Sequence, residues 1–234
     1  MAVMGDFPVH YFPLNDAPGS TAALDAITGQ TATTSMAGVT FTGTSASFDG
    51  TGSINLGDNF DFLDGTAGMA MGHGPFTVEA WILPSQPASA GDAGHGIVNL
   101  FGEGTVDVGY DVTMPPETGT IAMGLNLGGG SSCGTDPAQY PSETGFYFVG
   151  EYDDATANLK VYIRDGNQTD APPQVGCGGK GASAGMPTVS TLYLASDAEG
   201  HNNFTGTISH VAIYPVALSE MQITAHFMAG GTGP

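Results

Sequence analysis

Permanent cations are what this chain lacks most. Lys160, Arg164 and Lys180 are the only three, against 23 Asp plus Glu, giving a formal net charge of −20 over 234 residues. Binding to nucleic acid through a phosphate-neutralising surface is thereby excluded, and attraction to an anionic bilayer is disfavoured for the same reason. No run of about 20 apolar residues is present, so no helical membrane insertion is expected. The opening Met1-Ala2-Val3-Met4-Gly5-Asp6 lacks the basic and long apolar regions of a signal peptide. The only tryptophan is Trp81, and the only cysteines are Cys133 and Cys177. No phosphate-binding loop or dinucleotide fingerprint occurs, and the six histidines show no His-x-His or His-Glu-x-x-His spacing.

Glycine is what the chain has in excess, with 37 residues beside 15 prolines, while 41% of residues are hydrophobic. That combination predicts many short strands joined by tight turns rather than a disordered polymer. No linker, charge block or repeat divides the chain, so residues 1–234 read as one domain. Phe76-Thr77-Val78-Glu79-Ala80-Trp81-Ile82-Leu83 alternates, with Val78, Ala80 and Ile82 on one face. Residues 146–164 read as a β-hairpin around a polar turn at 153–158, with Leu159, Val161 and Ile163 facing one way and Lys160, Tyr162 and Arg164 the other. Further strands are expected near 39–48, 52–56, 97–101, 107–114, 120–127, 191–195 and 206–214. One helix is expected near the C-terminus. Ser219 and Gln222 have capping-box spacing, Ile223 and Phe227 share a face, and Gly230-Gly231 offer a stop. The segments 128–145 and 165–190 are Gly/Pro/Ser-rich, hold one cysteine each, and are expected to be long loops joined by a Cys133–Cys177 disulfide. Such a bridge implies an oxidising, extracellular setting.

Several pieces fall in a known order. They are His10-Tyr11-Phe12-Pro13-Leu14-Asn15-Asp16, Ala23-Leu24-Asp25, Ala46-Ser47-Phe48-Asp49-Gly50-Thr51-Gly52, the 76–82 strand and Leu159-Lys160-Val161-Tyr162-Ile163-Arg164-Asp165-Gly166. They continue with Phe204-Thr205-Gly206-Thr207-Ile208-Ser209-His210-Val211-Ala212-Ile213-Tyr214 and Ala217-Leu218-Ser219-Glu220-Met221-Gln222-Ile223. In order and spacing this resembles the laminin G-like, concanavalin A-like jelly-roll family across about residues 9–228. The resemblance implies an all-β, two-sheet antiparallel jelly-roll sandwich with one short C-terminal helix. It implies a module that binds glycans, proteins or lipids, often with a calcium ion. Calcium takes six to eight oxygen ligands, and the resemblance places Asp16 and Asp25 where family members hold the ion, with Asp49 in the Phe-Asp-Gly turn as a third candidate. The chain departs from the family pattern at Ser209-His210, where an acidic residue is common.

Other acidic groups are weaker as sites. Asp58, Asp61 and Asp64 lack EF-hand spacing and read as a solvated loop. The same sandwich hosts glycanases, which need paired carboxyl groups. Here Glu151-Tyr152-Asp153 begins a run of alternating acids but Ala155 and Thr156 break it, and Glu79 is alone on its strand. Gly130-Ser131-Ser132-Cys133-Gly134 matches the nucleophile-elbow pattern only in composition. For sugar binding, Trp81 reads as core packing. Asp107, Tyr110 and Asp111, with Tyr140, are the candidates for a binding loop, and ordinary half-exposed tyrosines are the bland alternative. The sum is a non-catalytic surface module of structural or adhesive type, extracellular or on a virion. Its expected partners are other subunits of a surface assembly or capsid, and glycans. The alternatives are a calcium-dependent adhesion module cut from a larger secreted protein and, more remotely, a glycoside hydrolase.

Overall fold

The computed structural model describes residues 2–34, 37–55, 75–85, 95–102, 105–112, 119–126, 131–134, 144–153, 156, 158–166, 174–180, 189–196 and 203–230, with backbone alone for the strands within 95–134 and most of those within 174–192. In chain order the elements are α1 (Ala2–Gly5), β1 (His10–Phe12), β2 (Ala22–Leu24), β3 (Thr31–Thr34), β4 (Val39–Phe41), β5 (Ala46–Asp49), β6 (Ile54–Asn55) and β7 (Phe76–Pro84). Then come β8 (His95–Gly102), β9 (Thr105–Val112), β10 (Gly119–Asn126), β11 (Ser131–Gly134), β12 (Phe146–Asp153), β13 (Asn158–Asp165), β14 (Gln174–Lys180), β15 (Val189–Leu194), β16 (Thr205–Tyr214) and α2 (Glu220–Gly230).

The strands form two antiparallel sheets. The first runs β14-β13-β12-β7-β16-β5-β4, with β1 also paired to β16. The second runs β11-β10-β9-β8-β15-β6-β3-β2. Alternation decides which face of the first sheet meets the second. Val78, Ala80, Ile82, Phe146, Phe148, Val161 and Ile163 turn inward and join Phe12, Phe41, Phe48, Ile54 and Leu194 in the main core. The intervening residues, Trp81, Tyr147, Val149 and Tyr162, form a second apolar cluster on the outer face with Leu218, Ile223 and Phe227. The first sheet is therefore covered on both faces, by the second sheet inside and by α2 outside. That is why β7 and β12 are buried along almost their whole length.

The predicted hairpin is β12–β13, in register from Phe146↔Asp165 to Asp153↔Asn158. The predicted helix is α2, and its N-terminus carries the capping box. The Gln222 side chain accepts from the Ser219 amide at 2.9 Å, and Ser219 Oγ accepts from the Gln222 amide at 3.4 Å. Two expectations need correction. The segments read as loops contain strands, β11 and β14, each at the edge of a sheet. β11 is only four small residues and β14 is glycine-rich, so neither shows an apolar alternation, and pairing with β10 and β13 supplies the strand state instead. The N-terminus also carries a short helix, α1, which packs on α2. Among the described residues no helix is long and apolar enough to cross a bilayer.

Candidate functional site

The outer face of the first sheet holds a buried polar centre. Glu79 lies mid-strand in β7 and is 1% exposed. Register places Val149 of β12 and Ala212 of β16 on either side of it, and its carboxylate reaches the phenols two residues away on each neighbour, before Val149 and after Ala212. Tyr147 donates to Glu79 Oε2 at 2.5 Å, and Tyr214 donates to Oε1 at 2.8 Å. His226, on the buried stripe of α2 with Ile223 and Phe227, donates from Nδ1 to Oε2 at 2.9 Å and from Nε2 to Asp6 Oδ2 at 2.7 Å. Both partners are carboxylates, and an ionised carboxylate only accepts, so the arrangement suits a ring that donates from both nitrogens. Burial opposes the charge of such a ring, but Glu79 and Asp6 more than offset it and raise the histidine above its ordinary value of 6.5. Asp6 also accepts from Gln222 at 2.9 Å, one helical turn before His226. A single carboxylate after α1 thus holds α2 at two points.

Beside this centre lies a cavity of about 100 Å³ lined by Tyr11, Glu79, Trp81, Tyr147, His210 and His226, with Ala2, Val3, Ala229 and Gly230 on the helix side. Burial and the nearby Glu79 charge push the Tyr11 phenol up to about 12. Burial lowers His210, and the Tyr11 hydroxyl and His210 Nδ1 are hydrogen-bonded at 2.7 Å. His210 reaches this position through an irregularity in β16. Its φ is +52°, and the register against β7 shifts between Ser209 and Ala212. The shift rephases the strand, so Ile208, Val211 and Ile213 all face the core while Ala212 and Tyr214 face outward.

Glu151 lies on the same outer face, opposite Thr77 of β7 and Lys160 of β13. Burial pushes its carboxyl up, and Lys160 Nζ, donating at 2.8 Å, pulls the other way. Glu79 and Glu151 were each legible as isolated acids, but nothing in the sequence places them on one covered face. His226, Asp6, Tyr147 and Tyr214 were missed. The available signals were a histidine on the apolar stripe of a helix and a glutamate inside an otherwise apolar strand.

The three aspartates proposed for calcium are not brought together. Among the described residues no three His, Cys, Asp or Glu side chains form a metal-holding group. Asp25 is filled by its own surroundings. Its Oδ1 accepts from the amides of Tyr11 and Ile27, and its Oδ2 accepts from His10 Nδ1 and Thr28 Oγ1. Asp49 is exposed and accepts from the Thr51 amide and hydroxyl through Oδ1, in an Asx turn. Asp16 is half-buried before β2. A calcium ion needs six to eight oxygens, so these residues do not fit one as a set. Asp107, Tyr110 and Asp111 lie on β9. Tyr140, Asp58, Asp61 and Asp64 lie outside the described residues. Trp81 is core, as expected, stacked on Phe227 at 5.4 Å between ring centroids. Cys133 lies on β11 and Cys177 on β14, and these two edge strands approach each other across the open side of the sandwich.

The two-sheet jelly roll with its C-terminal helix defines a lectin-like sandwich. Residues 48–224 match the concanavalin A-like lectin/glucanases superfamily, and the chain belongs to it. Comparison with curated protein sequences finds no match. Among solved structures, domain 4 of AbnA, a GH43 extracellular arabinanase from Geobacillus stearothermophilus in complex with arabinotriose, superposes with a TM-score of 0.63 at 12% identity, over 93% of this chain and 97% of that one. Trypanosoma rangeli sialidase, in complex with a difluoro-KDN, gives 0.65 at 16% identity, over 95% of this chain and 32% of that one. The botulinum neurotoxin serotype D binding domain gives 0.64 at 14% identity, over 96% and 52%. This chain therefore spans about a third of the sialidase and about half of the toxin fragment. At these identities the likeness is one of fold.

Proposed function

We propose that this domain is a non-catalytic glycan-binding module that works outside a cell or on the surface of a particle. Membership of a lectin/glucanase superfamily sets the class. The observation that favours binding over hydrolysis is the state of the acids on the outer face. Glu79 is closed beneath α2 and accepts three hydrogen bonds. Glu151 is 1% exposed and paired with Lys160. A glycosidase needs two carboxyl groups flanking a sugar, and a polysaccharide does not reach these two while α2 is docked. Similarity to an arabinanase domain crystallised with arabinotriose supports the glycan class without naming the sugar. The same reading includes a Cys133–Cys177 disulfide, supported by the approach of β11 to β14 and suited to an oxidising medium.

The test is a glycan array followed by titration against the best polysaccharide, with reducing ends assayed in parallel. Saturable binding with no release of reducing ends is expected. Hydrolysis abolished by Glu151→Gln would overturn the non-catalytic part. Absence of binding to every glycan, together with a large symmetric assembly in native mass measurements, would replace the adhesive role with that of a structural subunit.

A further inference from the structure

We propose that the cavity between the first sheet and the two terminal helices receives the acetyl group of an N-acetylated sugar, with the Trp81 indole N–H donating to the acetyl carbonyl. The inference rests on the glycan-binding reading, to which it adds a place and a substituent. Three observations carry it. The first is what the lining leaves free. Glu79 already holds three donors and is paired with His226, whose two ring nitrogens are both engaged. Tyr11 and His210 are bonded to each other. A charged ligand finds no unpaired counter-charge there, and burying its charge would be costly. The Trp81 indole differs. The residue is 1% exposed, and its N–H has no hydrogen-bond partner among the described residues. A buried indole N–H usually finds an acceptor, and it can only donate. The ligand that completes this lining is therefore uncharged and brings an acceptor. The second observation is access. Trp81 and Gly230 both line the cavity, and a Cβ on Gly230 would fall on the indole nitrogen. Glycine at that position keeps a side chain off the N–H. The third is size and wall. An apolar cavity of about 150 Å³ takes up benzene. At about 100 Å³ this cavity has room for a methyl and a carbonyl but not for a pyranose ring. The rings of Tyr11 and Tyr147 and the methyls of Val3 and Ala229 suit the acetyl methyl. Ala229 is exposed and Gly230 partly so, which lets the group enter from the helix side while its sugar stays outside. Membership of a lectin/glucanase superfamily favours a sugar as the carrier.

The chain has a single tryptophan, so one indole N–H resonance reports on the site. The intact, isotope-labelled protein would be titrated by heteronuclear NMR with N-acetylglucosamine and N-acetylgalactosamine. Glucose serves as the sugar without the acetyl group, and N-methylacetamide as the group without the sugar. A saturable downfield shift of the indole proton is expected with N-methylacetamide and with at least one acetylated sugar, and none with glucose. Ala229→Leu enlarges an exposed helix residue that lines the cavity and leaves every hydrogen bond of the centre in place. It should weaken binding of the acetylated sugar at least tenfold. The proposal is overturned by an indole resonance that no acetyl compound moves, by an equal response to glucose, or by an Ala229→Leu variant that binds like the parent. Tighter binding of Nε-acetyllysine amide than of either acetylated sugar would overturn the sugar as carrier. Glycans bound on the array with the indole resonance unmoved would overturn this site and leave the glycan-binding reading standing. Saturation by N-methylacetamide with no glycan bound would instead overturn that reading, and the sugar with it.

Discussion

A carboxylate and an imidazole inside this fold respond to pH in opposite directions. Burial pushes the Asp25 carboxyl up, but His10, the amides of Ile27 and Tyr11, and Thr28 pull it further down, from 3.8 to about 2. Its folded value is depressed, so its contribution is complete above the ordinary carboxylate range and is lost as pH falls through about 2. Asp25→Asn should cost about 2 kcal/mol at pH 7, because an amide cannot accept from all four donors. Thermal unfolding should show the gap closing between pH 4 and pH 2, and a gap that persists at pH 2 would contradict the assignment. His226 runs the other way. Its folded value is raised, so its contribution is complete below the ordinary value of 6.5 and is lost as pH rises through the folded one. His226→Gln leaves Glu79 buried without its cation and should cost about 3–5 kcal/mol at pH 6. That difference should shrink as the solution is made alkaline, and a constant difference would mean that the ring is not charged. Neither role was readable in the sequence. Asp25 looked like a metal ligand because a turn aspartate and a ligand aspartate are written alike, and only the positions of the four donors separate them.

At the scale of elements, α2 was legible because its determinants are local. The Ser219–Gln222 spacing and the Ile223/Phe227 stripe need no partner to be recognised. Ser219→Ala should destabilise the protein by about 1 kcal/mol, measured by denaturant titration. The far end of the helix rests on a distant residue. A methyl group at Gly230 would fall on the indole of Trp81. Gly230→Ala should therefore lift the last turn, red-shift the Trp81 emission, and cost about 1–3 kcal/mol. An unshifted spectrum would show that the indole gives way instead. Strands β7, β12 and β13 were legible by alternation, whereas β11 and β14 were not. Ser131-Ser132-Cys133-Gly134 and Gln174-Val175-Gly176-Cys177-Gly178-Gly179-Lys180 carry no alternating apolar side chains, and their strand state comes from pairing with β10 and β13. If their cysteines are bridged, intact mass should fall by about two hydrogens relative to the reduced chain, and reduction should cost about 2–4 kcal/mol. Thiols that label fully in the native, unreduced protein would remove the bridge and the argument for an oxidising compartment.

At the scale of the whole molecule, strand order was beyond single-sequence reading, since β16 closes the first sheet by pairing with β7 on one side and with β5 and β1 on the other. Charge, by contrast, is fully written in the composition. Twenty net negative charges on 234 residues repel one another, and that repulsion opposes the compact state. The Debye length falls from about 30 Å at 0.01 M salt to about 8 Å at 0.15 M, so the repulsion between exposed charges is screened over that range while the buried His226 centre is screened much less. The melting temperature should rise by several degrees between those two sodium chloride concentrations, and a flat response would show that the acidic groups are too far apart to matter. Divalent cations separate screening from coordination. Magnesium and calcium at equal ionic strength screen alike, but only a shaped set of oxygens favours the larger ion. Equal shifts would mean that the acidic surface acts as a diffuse field. A larger shift with calcium would mean a coordinated ion, held by oxygens other than those of Asp25, whose four acceptor positions the fold already occupies.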